Sequence, residues 1–163
     1  MSPSTLDLAT ALVRDLIGRG LTVATAESCT GGLIAAALTS VSGSSAVVDR
    51  GFVTYSNEAK VEMLGVPADL IALHGAVSQP VALAMAHGVL YHAIADLAVS
   101  VTGIAGPGGG SEHKPVGLVH FAAQARGQPP IAVERRFGDV GRGRVRELAV
   151  IEALGMLRSV ARI

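Results

Sequence analysis

The sequence predicts an α/β fold, a three-layer α/β/α sandwich around a mixed sheet of about five strands. Three observations carry this. Apolar segments of strand length alternate with segments of helical periodicity over the first hundred residues. Two more extended segments then follow one another around Arg126-Gly-Gln-Pro-Pro130, as in a hairpin. The chain closes on one long helical pattern.

Taken in order, Ser4 or Thr5 can cap a first helix through about Arg19. Leu8, Leu12, Leu16 and Ile17 recur at helical spacing, and Gly18 and Gly20 stop it. Leu21 to Ala26 reads as a buried strand. Ser28 or Thr30 begins the next helix, with Gly31 and Gly32 at its mouth and Leu33, Ile34, Ala37 and Leu38 on its face. Ser42 to Ser45 is a turn, and Val47 to Tyr55 a second strand. Ser56-Asn57 caps a short helix carrying Lys60 to Leu64, and Gly65-Val-Pro67 separates it from a helical turn at Ala68 to Leu73. Gln79-Pro80 opens a helix to about Ile94, since proline suits a first helical turn. Leu97 to Thr102 is a third strand, Gly117 to Ala125 and Pro130 to Phe137 form the hairpin, and a last helix spans about Gly143 to Val160.

With 163 residues, half of them hydrophobic and 16% charged, the chain suits one domain over 1–163 with a real core. Thirteen basic and thirteen acidic residues leave zero formal charge, and aromatics make up only 3%. Both argue against nucleic acid as a partner, which needs a positive field or stacking platforms. No basic start with an apolar run opens the chain, and apolar stretches are interrupted before membrane-spanning length, so a cytoplasmic protein without a membrane partner is expected. The single Cys29 rules out an internal disulfide and suits a reducing compartment.

Three segments could carry chemistry. In Ala26-Glu-Ser-Cys-Thr-Gly-Gly32 a hydroxyl stands at a strand-to-helix turn, beside unpaired N–H groups able to hold an oxyanion or phosphate. On spacing alone, Ser28 or Thr30 is a helix cap. Cys29 is a rival nucleophile, although an isolated cysteine is more often a small buried apolar residue. Tyr55-Ser-Asn-Glu-Ala-Lys60 offers a lysine that can serve as base if burial lowers its pKa, with a tyrosine to relay or orient. Taken alone, Lys60 reads as a surface residue. Thr102 to Ser111 can present consecutive N–H groups to an anion, though it has neither P-loop nor dinucleotide-binding form. Arg135, Arg136, Arg142, Arg144 and Arg146 form a basic run near the last helix, mostly a solvated face. The five histidines have no metal-ligand spacing, so neither metal nor cofactor is expected.

Together these segments resemble the CinA C-terminal domain family, the nicotinamide-nucleotide amidases. The matching stretches are Ala26–Gly32, Gly51–Lys60, His74–Ser78, Thr102–Pro107, Gly110-Ser111 and Lys114–Gly117, in family order. The resemblance implies metal-free hydrolysis of the carboxamide of a small-molecule nucleotide, nicotinamide mononucleotide, by a homo-oligomer (dimer or larger). By position, Ser28 matches the nucleophile, and Lys60, Tyr55, Thr102 and Arg142 the supporting residues. Lys60 takes the serine proton directly or through Tyr55. N–H groups near Cys29, Thr30 and Gly31, or the loop Gly103, Ala105 and Gly106, hold the oxyanion. That loop, Ser44–Ser45 or Arg142 binds the phosphate. The family shows Phe-x-Gly-Asp-Arg-x-x-Val-Arg; anchoring on Val145-Arg146 selects Arg142 but puts Gly141 where the family has Asp. Asp139 substitutes after a local shift, or that contact is absent. Many members carry a further N-terminal domain resembling molybdopterin-binding proteins; here the resemblance begins almost at the first residue, so that domain's activities are not expected.

Overall fold

A computed structural model describes all 163 residues. Helix α1 spans Pro3–Arg19 and strand β1 Val23–Glu27, followed by α2 over Leu33–Thr39 and a single 3-10 turn at Ser44–Ala46. Strand β2 covers Val48–Val53, and three helices follow: α3 (Asn57–Leu64), α4 (Ala68–His74) and α5 (Gln79–His92). Strands β3 (Leu97–Gly103), β4 (Leu118–Ala125) and β5 (Ile131–Arg136) precede α6 (Arg142–Ala161). The five-stranded sheet has the order β2-β1-β3-β4-β5. Its first three strands run parallel, and β4 and β5 are antiparallel additions. The expected sandwich is the observed one.

Element ends moved where capping was misread. Ser2, not Ser4 or Thr5, caps α1: its hydroxyl accepts the Thr5 N–H at 3.3 Å, with Pro3 as first helical residue. Neither Ser28 nor Thr30 caps α2, which starts only at Leu33, behind Gly31 and Gly32 at φ 58° and 98°. That left-handed pair turns the loop through angles other residues reach only with strain. The second strand stops at Val53, leaving Tyr55 outside it.

Strands β1 and β3 are buried almost throughout, because helices cover both faces. On one face Leu12 and Leu16 of α1, Ile34 and Leu38 of α2, and Leu154 and Leu157 of α6 pack on Val99, Val101 and Phe121. Each such leucine, fully withdrawn from water, contributes about 2 kcal/mol. On the other face Val81, Met85 and Val89 of α5 meet Ala24, Ala26 and Ala98, with Leu64 and Ile71 from α3 and α4. Alanines on that side let α5 lie close to the sheet. Gly88 then lets α3 lie close to α5, since a Cβ there would run into the Leu64 carbonyl. This contact fixes α3, and α3 carries Lys60.

The topology puts a crevice at the carboxyl ends of β1 and β3. The chain leaves β1 through α2 toward β2, then returns through α3, α4 and α5 on the opposite face to reach β3. Ligand sites in open α/β sheets favour such a reversal point. The Ser28 loop and the Thr102–Gly103 strand end meet there, and the Ser28 N–H donates to the Val101 carbonyl at 3.0 Å.

Candidate active site

A cavity of about 230 Å³ opens at this crevice, lined by Ser28, Cys29, Tyr55, Asn57, Lys60, Ala76, Val77, Thr102, Gly103, Ala105 and Arg142. Four connections, the end of β3 and the helices α3 and α6 contribute to it. The Lys60 side chain enters from α3, only 1% exposed, and places Nζ 3.1 Å from Ser28 Oγ. Its other partners are carbonyls, Thr54 at 2.8 Å and Ser56 at 3.4 Å. No carboxylate pairs with it. Burial therefore pushes the Lys60 ammonium below the ordinary lysine value, against a smaller opposing influence from Cys29. Of the two proton routes the sequence left open, only the direct one has its contact. The exposed Tyr55 hydroxyl instead accepts from Arg142 Nη2 at 2.9 Å.

Glu27, wholly buried beside Ser28, faces the other way. Its carboxylate accepts the N–H groups of Gly32 and Ile34 at 3.0 Å and of Ala35 at 2.8 Å. It thus satisfies the head of α2 and occupies the favourable end of the dipole. The expectation that those helical N–H groups serve a ligand is corrected accordingly. The Gly31 N–H closes a turn onto the Ser28 carbonyl at 3.0 Å, leaving the N–H groups of Cys29 and Thr30 without an oxygen acceptor in the chain. These two donors follow Ser28 immediately; in the other candidate loop, the Ala105 and Gly106 N–H groups are likewise without an acceptor in the chain, and Ala105 lines the same cavity.

Cys29 is unsuited to the nucleophile's role. Burial pushes its thiol up to about 11, so the thiolate is scarce near neutral pH. Thr102 is buried, and its hydroxyl donates to the Ala76 carbonyl at 2.9 Å, which holds the Ala76–Val77 wall in place. Arg142, the first residue of α6, straps the mouth: Nη1 donates to the Gly106 carbonyl at 3.1 Å while Nη2 holds Tyr55. Asp139 makes no hydrogen bond to Arg142, and Gly141 caps α6 through backbone alone, so of the two alternatives the acidic contact is absent rather than supplied by Asp139.

Several anticipated residues lie outside the cavity. Thr30, Gly31 and Gly106 stand just behind its lining, the first and last offering carbonyls to arginines. Ser44 lies at the amino-terminal end of β1 and β2, the end away from Ser28, its hydroxyl 3.5 Å from the Thr39 carbonyl; it is not placed to touch a ligand in this cavity. The basic run divides: Arg135, Arg136 and Arg144 pair with Glu152, Glu134 and Glu147 at the surface, whereas Arg142 and Arg146 reach the Ser28 crevice. Reading the sequence alone missed Asn57, Ala76 and Val77 as lining, and gave no role to Glu27 or Arg146. An acid just before a helix start was the available signal for Glu27. No cluster of three or more His, Cys, Asp or Glu side chains could hold a metal ion, and no helix is long and apolar enough to cross a membrane.

Comparison with known proteins agrees with this architecture. The CinA C-terminal domain profile matches residues 5–161. The nicotinamide-nucleotide amidohydrolase PncC of Escherichia coli K12 is 57% identical over 143 residues, 87% of this chain and 86% of that protein. A relative from Symbiobacterium thermophilum, named for competence-damage induction, is 52% identical over 155 residues; this chain spans only 36% of its length. The crystal structure of a competence/damage inducible protein from Agrobacterium tumefaciens superposes with a TM-score of 0.97 at 55% identity, over 99% of this chain and 98% of that one. On the profile match, the identities and the shared fold, the chain belongs to the CinA C-terminal domain family.

Proposed function

We propose that the protein is a nicotinamide-nucleotide amidohydrolase that deamidates nicotinamide mononucleotide to nicotinic acid mononucleotide and ammonia through Ser28. The observation that carries the reading is the 3.1 Å contact between Ser28 Oγ and a buried Lys60 with no anionic partner. An uncompensated buried lysine is costly, and gains a use when its amine must be neutral. The 57% identical amidohydrolase from Escherichia coli supports the substrate class.

In this mechanism neutral Lys60 accepts the Ser28 proton as Oγ attacks the carboxamide carbon. The oxyanion is held by the Cys29 and Thr30 N–H groups. On collapse the C–N bond breaks, Lys60 returns its proton to the departing nitrogen, and ammonia leaves an acyl-Ser28 ester. Water, giving a proton to Lys60, attacks the ester; the C–Oγ bond then breaks, Lys60 passes that proton to Ser28 Oγ, and the product acid leaves and ionises in water. The cavity is smaller than the ~300–1,000 Å³ typical of whole-ligand pockets, so it takes the carboxamide ring and leaves the ribose phosphate toward the mouth. Arg142, whose guanidinium matches phosphate geometry, stands there.

A coupled ammonia assay on nicotinamide mononucleotide, run beside free nicotinamide, tests the substrate. Activity on free nicotinamide alone overturns it, and tight mononucleotide binding with no ammonia release makes the chain a binding module. Ser28→Ala should fold and lose about 10⁴-fold or more in rate; an unchanged rate removes Ser28 as nucleophile. We also infer a homo-oligomer, supported by the exposure of Leu73, Tyr91 and Ile94, and a cytoplasmic location, supported by the lone, unpaired Cys29. Light scattering that gives a monomer mass ends the oligomer inference.

A further inference from the structure

We propose that Arg146 is a positioning residue for the Ser28 reaction, gripping two loop carbonyls so that the Thr30 N–H, beside the Cys29 N–H, is aimed at the oxyanion. The proposal rests on the amidohydrolase reading for its reaction, and on its own hydrogen bonds for its geometry. Arg146 enters from α6, on the face of the sheet opposite α3 and Lys60. Nε donates to the Cys29 carbonyl at 3.1 Å and Nη2 to the Thr30 carbonyl at 3.0 Å. The carbonyl and N–H of a trans peptide point in opposite directions. Turning the Cys29 carbonyl toward α6 therefore turns the Thr30 N–H away from α6, toward the layer that holds Lys60. The Thr30 N–H has no oxygen acceptor in the chain, whereas the Gly31 N–H already serves the turn. A cation on the carbonyl also polarises the peptide and makes its N–H a stronger donor.

The placement has no other evident reward. Arg146 lies in the opening turns of α6, where the helix dipole disfavours a cation, and it makes no ion pair, unlike the neighbouring Arg144. The Gly31 backbone lies against it: a Cβ there would stand 3.5 Å from Nη2, at ordinary contact distance. A lysine offers one point of charge rather than a planar fork, so it could hold only one carbonyl well.

The test uses Arg146→Gln and Arg146→Lys in the full chain. With melting temperatures within a few degrees of wild type, Arg146→Gln should lower kcat on nicotinamide mononucleotide about 100-fold with KM within about 3-fold. Arg146→Lys should fall between. A kcat within about 5-fold of wild type, or a loss confined to KM, overturns the proposal. A fluorophosphonate reports on Ser28 without the substrate: the Ser28 O–P bond forms, fluoride leaves, and Lys60 takes the proton. Labelling of Ser28 should slow in Arg146→Gln by a comparable factor. Equal labelling of wild type and variant, or no labelling of either, overturns the proposal. If wild type releases no ammonia yet labelling still depends on Arg146, the substrate reading fails and the positioning role stands. Should Arg146→Gln not fold, the same two readouts on Arg146→Lys decide.

Discussion

Glu27 and Lys60 flank the Ser28 loop and are equally hidden from water, yet their surroundings make them opposites. Around Glu27 every demand is met: three N–H groups at the head of α2 converge on its carboxylate. Around Lys60 the partners are two carbonyls and one hydroxyl, with no countercharge. Burial alone therefore does not tell a structural charge from a reactive one. What compensates the charge does, because burial without a countercharge is what pushes Lys60 toward its neutral form.

Replacing each partner sharpens this contrast. The largest effect should come from Lys60→Met, with kcat/KM falling about 10³-fold, in line with loss of a general base. The same change should leave stability unchanged or raise it, since it removes a buried unpaired cation. In wild type, between the lowered value of Lys60 and the ordinary lysine value, the unfolded chain binds more protons than the folded one. Stability therefore rises with pH across that interval, and Lys60→Met should flatten it in urea titrations. Wild-type kcat/KM should likewise rise with pH through a group titrating below ordinary lysine. A Lys60→Met protein that melts well below wild type breaks the comparison.

Glu27→Gln should do the reverse. An amide NH₂ would then face helix N–H donors, and stability should fall by about 3 kcal/mol, read from urea unfolding. Activity should fall less than in Lys60→Met, through a loosened loop. Next in size, Tyr55→Phe severs the strap to Arg142 and should raise KM about 5-fold, with a melting temperature within about 1 °C of wild type, as suits a bond at an exposed residue. The smallest effect belongs to Cys29→Ala, whose thiol is protonated near neutral pH; kcat should stay within about 3-fold, and a full loss would move the nucleophile from oxygen to sulfur.

Much of the fold was legible because its signals are local. The apolar runs of β1 and β3, the Gln79-Pro80 start of α5 and the hairpin turn at 126–130 each declare themselves within a few residues. The head of α2 was misread because a serine and a threonine sit where caps usually sit, while the actual acceptor, Glu27, comes from the strand before. Ser44 was misplaced for a similar reason: a serine in a turn looks alike at either end of a sheet.

By itself the sequence determined the alternation of strands and helices and a hydroxyl in a glycine-rich turn after β1, since periodicity and turn chemistry are written in neighbouring residues. By resemblance it also named the family. Only the tertiary structure decided that Lys60 is buried against Ser28 across 32 residues, and that Arg146 holds the same loop across 117. Those contacts arise when two helical layers close on opposite faces of one sheet. The desolvation that alters a lysine belongs to that closed interior and has no counterpart in the order of residues along the chain.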